Sequence, residues 1–154
     1  MQGEQKEKKP KPAVRGEQFH IFLETMMRML KPLKVINQRQ LERTYEMAAE
    51  DLKYQLNEES RMCLFKFMKK IRRVVEVEKA SSRFRYDLIG IDINDDLCII
   101  DWKTGQKYLK DIQQISSYLA DHIEAKAGYI VYLDLSEEIL IRKEECLLLN
   151  FQDT

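Results

Sequence analysis

The sequence predicts a small α/β sandwich, a helical region first and a sheet core after it. Three observations predict it. Up to about residue 73, apolar side chains recur at steps of three and four, the spacing of one helical face. Beyond that point they alternate, as strands with one buried face require, and a single helical stretch interrupts them. The chain has 154 residues, 44% of them hydrophobic, which suits one domain with a core of its own.

Residues 1–15 hold Lys6, Lys8, Lys9, Lys11 and Arg15 with Pro10 and Pro12 and no apolar period. They read as a flexible basic tail ahead of a single domain over 16–154, with 16–73 helical and 74–154 forming the sheet core. Phe19, Phe22, Met26, Met29, Leu30 and Leu33 line the first helix, and Pro32 sets its end because the residue before a proline disfavours helix. Leu41, Tyr45, Ala48, Leu52 and Leu56 line the second, which Asn57 closes. Leu64, Phe67, Met68, Ile71 and Val74 line the third. Opposite them Lys69, Lys70, Arg72 and Arg73 form either a solvated face or one that tracks phosphate.

Strands are expected at 75–78, 84–93 and 97–103, the last two joined by the turn residues Asn94, Asp95 and Asp96. A helix over about 108–124 follows, its inner stripe Leu109, Ile112, Ile115, Ser116, Leu119 and Ile123. Gly128 opens a strand over 129–133, and 139–149 forms a last strand pair or one long edge strand.

Twenty-six basic and 26 acidic residues cancel, which argues against a protein that coats nucleic acid all over and leaves a local basic groove open. Cys63, Cys98 and Cys146 are odd in number and widely spaced, the pattern of a reduced intracellular protein with neither a disulfide framework nor a clustered metal site. No apolar run approaches the ~18 residues of a membrane span. The N-terminus lacks the apolar core of a secretory signal. The expected location is cytoplasmic or nucleoid-associated.

The chemistry concentrates in RYDLIGIDINDDLCIIDWKTG, residues 85–105. A hairpin with a three-residue turn puts Ile93 opposite Leu97 and Asp87 opposite Lys103, diagonal to Asp101. Two carboxylates and an ammonium then meet at the end of an aliphatic face. They form either a structural ion pair or a site for Mg²⁺ or Mn²⁺, with the ammonium placed to steady charge on a phosphate. Further polar residues decide between the two. Gln114 and Tyr118, four apart on the next helix, are expected to point away from its inner stripe. His20 and Glu24, also four apart, flank the stripe of the first helix, where a lone His is either structural or a ligand.

Asp87, thirteen residues, Asp101-Trp102-Lys103-Thr104-Gly105, then Gln114-x-x-x-Tyr118 resembles the PD-(D/E)XK nuclease superfamily, specifically its RecB-like branch. Gly16 to His20, GEQFH, is similar to that branch's first motif, and the resemblance spans most of the chain, roughly 16–140. It implies a restriction-endonuclease-like core, a mixed central sheet flanked by helices. It further implies that His20, Asp87, Asp101 and the main-chain carbonyl of Trp102 bind Mg²⁺ or Mn²⁺, that Lys103 is the catalytic lysine, and that Gln114 and Tyr118 contact the strand or brace the site.

Lys107 is a further candidate contact to nucleic acid. Tyr86 stands where the superfamily's proline would be, and no four-cysteine cluster is present, so no iron–sulfur cluster is expected. The implied activity is hydrolysis of DNA phosphodiesters by a stand-alone exonuclease on single strands or ends, in replication, repair or recombination. A helicase or recombination partner, or an oligomer, would supply what so compact a domain lacks. A nuclease-like binding module without turnover, and an RNA endonuclease with the same core, remain open alternatives.

Overall fold

The computed structural model describes residues 11–81 and 84–145, and of 11–16 the backbone only. Helices α1 (Lys11–Leu30), α2 (Gln38–Leu52) and α3 (Glu58–Met68) come first. Strands β1 (Ile71–Ala80), β2 (Arg85–Asp92) and β3 (Leu97–Lys103) follow, then α4 (Leu109–Asp121), β4 (Ala127–Tyr132) and β5 (Glu137–Arg142). The five strands lie in one mixed sheet in chain order. Only β3 and β4, joined through α4, run parallel. The expected α/β order of elements is the one the chain adopts. Among the described residues no helix is long and apolar enough to cross a membrane.

Each face of the sheet carries its own core. On one side Phe22, Met26, Leu64 and Phe67 of α1 and α3 pack with Leu88, Cys98, Ile100 and Trp102. On the other Ile115 and Leu119 of α4 pack with Ile89, Ile99 and Ile130. Successive side chains of a strand point to opposite faces, so β2 and β3 feed both cores and read as almost continuous apolar runs.

Several boundaries differ from expectation. α1 starts at Lys11, inside the stretch read as a tail, whose residues 1–10 lie outside those described. It stops at Leu30, ahead of Pro32 as expected. α2 ends at Leu52 because Lys53 turns left-handed at φ 52. Asn57 therefore does not close that helix. It opens α3, its Oδ1 accepting the Ser60 N–H at 2.8 Å. Leu56 is buried off the helix, its N–H donated to the Tyr45 hydroxyl at 2.9 Å.

The third helix ends at Met68 rather than beyond Val74, and the cause is a pair of β-bulges. β1 gains one extra residue between Ile71 and Arg73 and another between Val74 and Glu76. Each bulge turns the strand's two-residue period into a local three. Ile71, Val74 and Val77 thus share the buried face while keeping the spacing of a helix.

The β2–β3 hairpin pairs Ile91 with Leu97 and Leu88 with Ile100, two residues away from the expected register. Asp92 is part of the turn: its Oδ1 accepts the N–H groups of Asn94 and Asp96 at 2.9 and 3.0 Å. Ile93, expected opposite Leu97, is exposed. A shift of two leaves every side chain on its expected face.

On α4 the inner face is rotated from the expected stripe. Leu109 and Ile123 are exposed, while Asp111, Ile115, Tyr118 and Leu119 are buried. Of the expected last strand, residues 146–149 lie outside those described. α4 lies close to the sheet because Gly128 has no side chain: a Cβ there would fall 2.6 Å from Ile115 Cγ1. Gly128→Ala is expected to destabilise the fold by about 1–3 kcal/mol, the usual cost of overpacking, measured by urea unfolding.

Candidate active site

The sheet end formed by the start of β2 and the end of β3 collects the polar residues. Continuing the register past Leu88–Ile100 sets Asp87 directly opposite Asp101, so Lys103 is not the residue facing Asp87. Asp87 Oδ2 accepts the Trp102 N–H at 3.0 Å. From α1, His20 reaches the same point, its Nε2 3.1 Å from the Trp102 carbonyl oxygen and 3.6 Å from Asp87 Oδ2. Residues 82 apart in sequence thus meet at one backbone position.

Lys103 Nζ lies 3.1 Å from Asp101 Oδ2 and donates to Gln114 Oε1 at 2.9 Å. The contact with Asp101 is an ion pair without hydrogen-bond alignment, so that buried oxygen has no aligned donor. Gln114 lies one turn before Tyr118 on α4, which ties the lysine to that helix.

Electrostatics sets the two aspartates apart. Burial and the neighbouring Asp87 charge push Asp101 up to about 7, and Lys103 only partly offsets them. Burial also acts upward on Asp87, but the nearby His20 and its charge, the Asp101 carboxyl and the Trp102 N–H bring it below the usual carboxylate range. The two neighbouring carboxyls therefore resist ionising together, Asp87 giving up its proton the more readily and Asp101 the less.

Several expected site residues land elsewhere. Tyr118 does not point away from the core: it is 6% exposed, its ring edge-on to Phe84 and Tyr86. Burial and the aspartate charges push its hydroxyl up to about 12. Its place braces the site, and its ring is not open for bases to stack on. Lys107 is paired with Glu137 at 2.8 Å, and Glu24 with Arg28 at 3.0 Å. Lys69 and Lys70 follow α3 while Arg72 and Arg73 lie on β1, so they do not share a helical face. Ile71 pairs with Asp92 and Ala80 with Arg85, which puts that basic cluster at the far end of the sheet from the aspartates.

Two residues went unread in the sequence. Asp111 is buried on α4, 3.9 Å from Lys103 Nζ, and accepts hydrogen bonds from the Tyr132 hydroxyl and the Tyr108 N–H. Its signal was its place one turn before Gln114. Glu78, left-handed at φ 52 beside a bulged strand, pairs with Arg85 at 2.8 Å and is raised by burial and then by Asp87. Nothing in a V-E-V-E alternation marks such a residue.

Among the described residues no group of three or more His, Cys, Asp or Glu side chains is placed to hold a metal ion. What converges instead is two carboxylates, one carbonyl oxygen and one imidazole. That donor set fits a hard divalent cation that keeps part of its water shell. The Asp101 oxygen that lacks an aligned donor has the Lys103 ammonium beside it, and a divalent cation would satisfy it together with the second carboxylate. No family model matches the chain, and no curated protein is significantly similar to it.

Proposed function

We propose that this chain is a metal-dependent nuclease with a restriction-endonuclease-like core of the RecB-like PD-(D/E)XK type, hydrolysing DNA phosphodiesters on single strands or ends. One observation carries the reading: Asp87 stands opposite Asp101, with Lys103 tied to Gln114 and His20 brought in from a distant helix. A structural ion pair explains Lys103 and one aspartate. It does not explain a second, part-buried carboxyl facing the first, which costs stability unless something positive comes between them.

Asp87, Asp101, the Trp102 carbonyl and His20 are the groups that would hold Mg²⁺ or Mn²⁺. Such a cation, when bound, acidifies water and neutralises phosphate charge. The protein's own part is positional. Gln114 occupies one of the three Nζ donors of Lys103 and fixes the direction of the others toward the space beside Asp101. Asp111 brings a second carboxylate to Lys103, 3.9 Å from its Nζ. Tyr118, Tyr86 and Asp121 fix the α4 side of the site, the Tyr86 hydroxyl donating to Asp121.

Labelled single-stranded DNA, duplex DNA and RNA, each incubated with Mg²⁺, Mn²⁺ or chelator, test the reading. Cleavage of single-stranded DNA only with a divalent ion is expected. Cleavage of RNA alone would move the substrate to the ribose side, and binding without cleavage in any ion would leave a nuclease-like binding module.

His20 has its own test. His20→Ala should weaken Mn²⁺ binding by about tenfold or more, by analogy with the loss of ligand support around metals. Calorimetric titration checks it. Unchanged Mn²⁺ affinity together with lower stability would make His20 structural.

A further inference from the structure

A cavity of about 470 Å³ lies between the middle of α1, the segment after α2 and the turn after β3. The chain itself joins it to the site, for Phe19 precedes His20 and Thr104 follows Lys103, and both line the cavity. No lysine or arginine lines it. Its one acidic group, Asp134, is already engaged, accepting from Ser60 Oγ and from the Gly105 N–H, each at 3.3 Å. Gly105 turns at φ +81, and a Cβ there would meet nothing within 4 Å, so this wall stays open.

What remains to meet a ligand is amide and aromatic. The exposed Gln18, Gln55 and Gln106 surround the cavity, and among the described residues none of the three side chains bonds another protein group. The Tyr108 side chain is 51% exposed, with Lys110 Nζ 5.1 Å from its ring centroid. A phosphate would need cations, and the lining residues include none, Lys110 lying over the Tyr108 ring instead. A nucleobase needs an aromatic face and paired donors and acceptors along its edge, which tyrosine and glutamine supply. Ligand pockets run to roughly 300–1,000 Å³, so the space suits a single nucleotide and excludes a duplex.

We propose that this cavity receives the unpaired base of the nucleotide beside the scissile phosphate, stacked on Tyr108, and this rests on the nuclease reading above. A base inside a duplex is paired and stacked, so it cannot enter without unstacking. The cavity thereby selects single strands and frayed ends, a preference that the carboxylates and Lys103, which meet phosphate first, do not impose.

The test is single-turnover cleavage in Mn²⁺ of a labelled DNA strand and a matched strand carrying one abasic nucleotide. Wild type, Tyr108→Ala and Tyr108→Phe are compared. Wild type is expected to slow about tenfold or more at the abasic position, the scale of one lost stacking contact. Tyr108→Ala should slow similarly at ordinary nucleotides and add nothing at the abasic one, while Tyr108→Phe should match wild type. Equal slowing by Tyr108→Ala at ordinary and abasic positions, or none at either, overturns the base pocket and leaves the nuclease standing. A wild type that cuts neither strand sinks the nuclease reading itself, and the pocket with it.

Discussion

Asp101→Asn is expected to abolish cleavage and to raise thermal stability at pH 8. The substitution removes a charge from the set that would hold the cation. Losing several kcal/mol of charge stabilisation corresponds to about a thousandfold or more in rate. The gain in stability follows from the same oxygen. Asp101 is raised in the folded state to about 7, above the ordinary carboxylate value. The folded chain therefore binds more protons than the unfolded one between the two values. Stability from this group is full below about pH 4 and is lost as pH rises toward 7. Asp87, lowered on folding, acts in the opposite sense and softens the slope.

Asparagine at 101 mimics the protonated acid at every pH, its amide donating to Asp87 and its oxygen facing Lys103. At pH 8 a gain of roughly 2 kcal/mol is expected, about 4–8 °C in Tm at this chain length. Near pH 4 the variant and wild type should melt alike. Calorimetric melting across that range checks the claim, and a variant less stable at pH 8 would mean that Asp101 is ionised and well satisfied by Lys103.

Lys103→Ala is expected to lower the cleavage rate by about a hundred- to a thousandfold, the range for removing one preorganised donor. Its Mn²⁺ affinity should stay near that of wild type, because the ammonium acts on phosphate or water and not on the ion. With four carboxylates nearby, Asp87, Asp101, Asp111 and Glu78, removing the local cation should if anything favour a divalent ion. Rate and affinity falling together would reassign Lys103 to holding the carboxylates in place. Mn²⁺ titration and single-turnover rates on the same preparations separate the outcomes.

The order of elements was legible because it rests on periodicity, and periodicity survives in this chain except where β1 bulges. There two inserted residues give Ile71, Val74 and Val77 a helical spacing, and only the pairing with β2 distinguishes the cases. The face on which Asp87 and Asp101 sit was legible too, since parity along a strand is insensitive to a shift of two. Their direct opposition was not, because it depends on Asp92 folding into the turn through its own carboxylate. Tyr118 was misjudged for a related reason. The stripe drawn through Leu109 and Ile123 put Tyr118 on the outer face. The face that packs on the sheet runs instead through Asp111, Ile115, Tyr118 and Leu119, and Ile123 lies past the helix end at Asp121. The approach of His20 to Trp102 rests on the packing of α1 against the sheet, which no local pattern encodes.

The most direct measurement is single-turnover cleavage of a labelled DNA strand by wild type, Asp101→Asn and Lys103→Ala, each with Mn²⁺ and with chelator. Fast cutting is expected from wild type with Mn²⁺ alone, none from Asp101→Asn, and cutting slowed about a hundred- to a thousandfold from Lys103→Ala, with chelator stopping all three. Equal cutting by all three proteins, or by wild type in chelator, would contradict a metal-dependent site built on Asp87, Asp101 and Lys103.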